Sequence, residues 1–137
     1  MQTLAELARK IATDAHDGQF RRDGITPYIT HPEAVVNRVG NDPNTLAVAW
    51  LHDVFEDTSE TRESLLAKGI PLEVVRVVGV LTRSPTLTYD QYLDSILADA
   101  TATKVKIADM LANLADHPTE EQIRKYAKGL LTLVSGR

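Results

Sequence analysis

The chain contains no cysteine, which removes disulfides, thiolate metal ligands and a cysteine nucleophile together. Aromatic residues are scarce, at 5%. No apolar run approaches the roughly 18 residues of a membrane-spanning helix. Charge of one sign is also missing: the net value is −4. Bulk electrostatics therefore gives no footprint for a long nucleic-acid groove, although a local basic patch can still hold a small anion. The opening MQTLAELARK is amphipathic and carries Glu6, unlike a secretory leader. The expectation is a cytoplasmic protein with no membrane and no nucleic-acid partner; the oligomeric state cannot be read.

What is present fits an ordinary globule. The 137 residues are 43% hydrophobic and 25% charged, the usual balance of a soluble domain. A chain of this size buries roughly two-thirds of its surface on folding. The expectation is one domain over residues 1–137, with no room for a second catalytic domain.

Helical signals run from end to end. Thr3 with Glu6, Thr88 with Gln91 and Thr119 with Gln122 have the spacing of capping boxes. Apolar residues recurring at three and four predict helices over about 4–16, 88–97, 102–115 and 119–134. Pro32 suits a first helical position, as do Pro43 and Pro71, and a short helix follows Thr61 and stops at Gly69. The helix after Pro43 carries LAVAWLHDVF, apolar almost all round, and should be central. The valine pairs at 74/75 and 77/78 fit a helix face better than a strand. Residues 18–30 read as an ordered loop. The fold class expected is all-α, a bundle of seven or eight helices.

Certain polar residues stand where such a bundle does not need them. His52 and Asp53 interrupt the most apolar helix, and burying such a pair unpartnered is expensive. A plain hydrogen-bonded core pair would explain them. His-Asp dipeptides carry little weight alone; His16-Asp17 is a second one, at a helix end, and reads as surface. The wider set changes the picture. His31 stands in PYITHP and Asp109 in KVKIADMLAN. Two imidazoles and two carboxylates form a mixed donor set suited to Mn²⁺, Fe²⁺ or Zn²⁺. Glu56 lies three and four residues from Asp53 and His52, on the same helix face, where a general base belongs. Asp57 reads equally as a solvated helix end. Arg21 and Arg22 are plain surface charges or a grip for phosphate oxygens.

With these residues assembled, AHDGQFRRDGITPYITHP, LHDVFEDT, LTR and VKIADMLANL, in this order over about residues 4–116, resemble the HD-domain hydrolases. More narrowly, they resemble the Rel/Spo-type alarmone hydrolases, including small single-domain ones. The resemblance implies an all-α fold and a Mn²⁺ ion (or another divalent transition metal) held by His31, His52, Asp53 and Asp109. It implies water activation by Glu56 and Asp57, and removal of the 3′-pyrophosphate of guanosine 3′,5′-bis-pyrophosphate, ppGpp, to give GDP or GTP and pyrophosphate. It assigns Arg21 to the phosphates, Arg22 and Asp23 to the base and ribose, and Asn113 to the nucleotide. Pro27 and Tyr28 would support the loop presenting His31.

The sequence also departs from that pattern. The first loop, Gly24-Ile25-Thr26-Pro27-Tyr28, is one residue longer than the family's. Asp23 replaces a small polar residue, Ala112 an aromatic or His, and Ala115 an arginine. The metal set is intact while the nucleotide pocket is altered. A phosphohydrolase acting on another nucleotide or phosphorylated metabolite is therefore the competing expectation. A non-catalytic nucleotide-binding module is opposed by the intact Glu56-Asp57 pair.

Overall fold

All three capping boxes read from the sequence form in both directions, side chain to backbone and back, at Thr3/Glu6, Thr88/Gln91 and Thr119/Gln122. Thr61 closes a fourth box with Ser64, while Asp42 and Asp99 cap two further helices through their carboxylates. The computed structural model describes residues 1–136. Over these it has nine helical segments: α1 (Leu4–Ala15), α2 (Thr30–Val36), α3 (Pro43–Leu51), α4 (Val54–Asp57), α5 (Arg62–Ala67), α6 (Leu72–Leu81), α7 (Tyr89–Leu97), α8 (Ala100–Leu114) and α9 (Glu120–Ser135). The only β pairing among them is an isolated bridge between Phe20 and Pro27. The all-α expectation holds, and no helix among the described residues is long and apolar enough to cross a membrane.

Helix α3 is the hub, as its all-round apolar pattern predicts. Ala47 through Leu51 are all buried, and the helix packs against α1, α2, α6 and α8. Helix α8 is the second hub, touching α2, α6, α7 and α9 as well as α3. The paired valines of α6 face the core: Val74, Val75, Val77 and Val78 are each no more than 2% exposed. Two glycines mark close approaches. A Cβ on Gly79 would lie 2.5 Å from the Arg62 guanidinium, and one on Gly129 would lie 2.7 Å from Met110 Cε and 3.0 Å from the Tyr89 hydroxyl. Gly129 thus lets α9 settle against α7 and α8.

The ninth segment comes from a break in the third expected helix. Asp53 sits at φ −106°, ψ 0°, outside the helical basin. In an unbroken helix its N–H would bond to the Ala49 carbonyl. The His52 ring takes that carbonyl instead, Nδ1 to oxygen at 2.7 Å. A side chain entering the ladder in this way is a recognised cause of a kink. Helix α2 likewise starts two residues ahead of Pro32, so His31 lies within its first turn.

Candidate metal centre

Three segments converge on one point. His31 comes from the first turn of α2, His52 and Asp53 from the break between α3 and α4, and Asp109 from the middle of α8. Candidate ligand atoms of His31, His52 and Asp109 lie within 4.8 Å of one another. His31 Nε2 is 2.7 Å from Asp109 Oδ1 and 3.9 Å from Asp53 Oδ2; His52 Nε2 is 3.1 Å from Asp53 Oδ2 and 3.4 Å from Asp109 Oδ1. Both imidazoles and Asp109 are buried.

The donors fit a cation. The bond from His52 Nδ1–H to Ala49 leaves Nε2 as the lone-pair nitrogen facing the cluster. Despite the nearby oxygens, Nε2 makes no hydrogen bond and has no contact with solvent. A buried polar atom left so is unusual and is what a metal ligand looks like without its ion. Burial by itself would discourage protonation of His52, but the Asp53 and Asp109 carboxylates outweigh it and raise its pKa; a metal at Nε2 would take the place of that proton. Burial likewise opposes ionisation of Asp53, yet the His52 and His31 rings bring its carboxyl down to about 2. Asp109 is also buried, and is held well below the usual carboxylate range chiefly by Lys106.

Lys106, unassigned by the sequence reading, donates to Asp109 Oδ2 at 2.9 Å, one helical turn away. Tyr28 does more than support a loop. Its hydroxyl donates to Asp53 Oδ2 at 2.6 Å, and its ring lies near those of His16 and His31, with centroid separations of 4.8 and 5.9 Å. His16 is therefore not surface: it is 2% exposed, while Asp17 is exposed. The ring of His16 fills the space behind Tyr28, and its Nδ1 meets Gln19 Oε1 at 2.8 Å. The spacing of Lys106 and Asp109 on one helix gave a readable signal; a contact between Tyr28 and Asp53, 25 residues apart, gave none.

Glu56 lines a cavity of about 120 Å³ together with His52, Asp53 and Asp109, and the backbone N–H of Arg83 fixes its carboxylate at 2.8 Å. Partial burial raises the Glu56 carboxyl above its ordinary value. The Asp57 carboxyl is raised for the same reason and by Asp53, but Asp57 opens onto a different groove, with Gln19, Phe20 and Tyr28. Successive residues of a helical turn diverge, so the two acids do not face one cavity.

The residues expected at the nucleotide are occupied locally. Arg21 binds Asp116 and, at 3.3 Å, Asn113 Oδ1. Asn113 donates to the backbone carbonyl and to Oδ1 of Asp109, at 3.0 and 3.2 Å. Arg22 donates to the carbonyl of His117 at 3.3 Å, presented by a left-handed turn at φ 47°. Asp23 accepts from Ile25 N–H, Thr26 N–H and the Thr26 hydroxyl, which bring its carboxyl down to about 2. Its immediate work is thus to close the turn of the lengthened loop. Arg21, Arg22, Asp23, Asp116 and His117 line one open groove.

No family model matches the chain. Individual proteins do. The chain is 33% identical, over 93% of its length, to the probable GTP pyrophosphokinase of Mycobacterium leprae, and 35% identical, over 76% of its length, to the guanosine-3′,5′-bis(diphosphate) 3′-pyrophosphohydrolase of Haemophilus influenzae. It spans only 18% and 17% of those two proteins. Among solved structures, a metazoan orthologue of SpoT, described as hydrolysing ppGpp, superposes with a TM-score of 0.81 at 25% identity, over 99% of this chain and 86% of that one. Sequence relatives and fold together bear out the resemblance of this chain to the HD-domain hydrolases of the Rel/Spo type.

Proposed function

We propose that residues 1–137 form one HD hydrolase domain that removes the 3′-pyrophosphate of (p)ppGpp, giving GDP or GTP and pyrophosphate. One observation carries this reading: a single cavity is lined by His52, Asp53 and Asp109, by Glu56, and by the cations Arg83, Lys106 and Lys125. Candidate metal ligands, a base and anion-binding charge meet there. The names of the Haemophilus protein and of the SpoT structure support the same activity.

His31, His52, Asp53 and Asp109 would hold the metal. Their mixed nitrogen and oxygen donors suit Mn²⁺ among the divalent ions, and such an ion supplies Lewis acidity toward phosphoryl oxygens. Hydrolysis adds the oxygen of one water to the phosphorus bonded to the ribose 3′ oxygen; that oxygen–phosphorus bond breaks and the 3′ oxygen takes up a proton. Glu56 accepts the proton of the attacking water, its raised carboxyl being the better base for it. Asp57 acts from the neighbouring groove. Arg21 grips phosphate, while Arg22, Asp23 and Asn113 border the nucleotide. Of the last set, Asp23 contributes by shaping its turn.

A second reading, another nucleotide or phosphorylated metabolite, is favoured by the way Asp116 and Asn113 already hold Arg21. A product assay decides. The Mn²⁺-loaded protein is incubated with ppGpp and a panel of nucleotides. Pyrophosphate from ppGpp is the expected product. Orthophosphate from another member of the panel supports the second reading, and no product from any member overturns both.

A further inference from the structure

His16, which closes the C-terminal end of α1, is 2% exposed, yet the proposed chemistry gives it no task. Its two ring nitrogens differ. Nδ1 lies 2.8 Å from Gln19 Oε1. Nε2 is out of contact with solvent and has no hydrogen-bond partner among the described residues. An apolar side chain could fill the same space behind Tyr28 without leaving a polar atom unsatisfied. What His16 supplies beyond volume is therefore at Nδ1.

The Gln19 amide decides which way that bond runs. Its Nε2 donates to the backbone carbonyl of Asp57 at 2.7 Å, across 38 positions. Its oxygen is thus turned toward the ring, and His16 Nδ1–H donates to it. A flipped amide would set oxygen against the Asp57 carbonyl. The backbone of Gln19 is fixed as well: its N–H donates to the His16 carbonyl at 3.0 Å, and its carbonyl accepts from Tyr28 N–H at 2.8 Å.

The far end of this chain of bonds is where rigidity is scarce. Helix α4 is one turn of four residues, preceded by Asp53 outside the helical basin and with no side-chain cap. So short a helix does not hold itself, and the last carbonyls of any helix need partners from elsewhere. Yet α4 carries both acids of the proposed reaction. One tether runs from Arg83 N–H to the Glu56 carboxylate. Gln19 supplies the other, and because it grips backbone it occupies neither carboxylate.

We infer that His16 and Gln19 are positioning residues: the imidazole fixes the Gln19 amide, the amide fixes the end of α4, and α4 then presents Glu56 and Asp57 to the candidate metal ligands. The inference rests on the hydrolase reading for what the two acids do, but not for the tether itself.

Amide hydrogen exchange and steady-state kinetics on the Mn²⁺-loaded full chain provide the test. Gln19→Glu keeps the size and the acceptor for His16, but sets an oxygen against the Asp57 carbonyl. The N–H groups of Asp57 and Thr58, which bond to the Asp53 and Val54 carbonyls, should exchange at least tenfold faster, with α3 and α8 unchanged. For ppGpp, kcat should fall about ten- to a hundredfold, the scale of a small misplacement of reacting groups. KM should stay within about twofold, since Gln19 lines neither the cavity of Glu56 nor the groove of Arg21. Gln19→Ala, which only removes the amide, should repeat this pattern, so a folding defect in the first variant leaves the test standing. Two further variants separate the hydrogen bond from packing. His16→Phe keeps a ring on Tyr28 and loses the donor, and kcat should fall. His16→Asn loses the ring but places an amide nitrogen where Nδ1 stood, and kcat should return to within about threefold of wild type. Unchanged exchange at Asp57 and Thr58 in both Gln19 variants overturns the inference. So does a higher KM at unchanged kcat, and so does an active His16→Phe beside an inactive His16→Asn, which would assign His16 to packing. If exchange responds as expected but wild type cleaves no ppGpp, the tether stands and the proposed activity falls. If ppGpp is cleaved and neither exchange nor kcat responds, the tether alone falls.

Discussion

Arg21 and Asp116, ninety-five residues apart, are joined through one carboxylate oxygen, 2.9 Å from Nη2 and 3.2 Å from Nε of the guanidinium. The contact ties the first loop to the end of α8 beside the candidate metal ligands. It also places a carboxylate where the proposed function puts a phosphate.

Asp116 should therefore compete with substrate. Asp116→Asn keeps the shape and removes the charge, so the KM for ppGpp should fall while kcat stays within about twofold. Asp116 is half exposed, and exposed pairs are worth ~0.2–1 kcal/mol, which limits the gain to about fivefold. Steady-state kinetics reads this directly; a higher KM would mean that Asp116 orients Arg21 productively.

Glu56→Gln should lower kcat by ~10²–10⁴-fold, the usual contribution of a general base, with metal content unchanged by elemental analysis. Partial burial sets the Glu56 pKa above 4.5. A base works deprotonated, so wild-type activity should fall as pH drops through that raised value. The acid limb of the pH–rate profile should thus lie above 4.5 and be missing from the residual activity of the variant.

Tyr28→Phe takes away the hydroxyl that holds Asp53 and keeps the ring packed on His16 and His31. Groups that orient a metal ligand typically contribute 10–100-fold in metal affinity. Titration of apo protein with Mn²⁺ should show a loss of that size in the variant. Equal affinity would make the contact dispensable.

Asp99→Ala should destabilise the fold. The carboxylate caps α8 at 2.8 Å and pairs with Arg76 of α6 at 2.7 Å. Loss of the cap costs about 0.5–2 kcal/mol, measurable by urea unfolding at pH 7. Burial on its own pushes the Asp99 carboxyl up, but the cap N–H and Arg76 together outweigh it and bring its folded pKa below 3.8. The ionic part of its stabilisation is complete above the unfolded value and disappears as pH falls through the folded one. The gap between variant and wild type should therefore narrow below about pH 3.8.

Local rules carried the helices. Thr3, Thr88 and Thr119 cap where their spacing says, because a capping box needs only four consecutive residues. His31, His52, Asp53 and Asp109 stood out as polar residues in apolar segments, and the fold gathers them. Tertiary features were not legible. The break at His52 depends on a ring choosing a carbonyl, which periodicity does not encode. His16 looked exposed because its burial comes from Tyr28, across the loop. Arg83 and Lys125 carry no signal of their own in the sequence, and the approach of α9 at Gly129 brings them to the ring of Tyr89.

His31 and Asp109 are separated by 78 positions, with His52 and Asp53 between them, so the ligand set exists only once distant parts of the chain have docked. An ion bound at this point would act as a clasp over a long loop. With little hold on the denatured chain, it would raise stability by mass action, about 2.7 kcal/mol at a hundred times its dissociation constant. The clasp would join α2 to both hub helices, so opening any one of these elements would release the ion. On the proposed reading, the supply of divalent metal in the surroundings would thereby set the folded fraction as well as the activity.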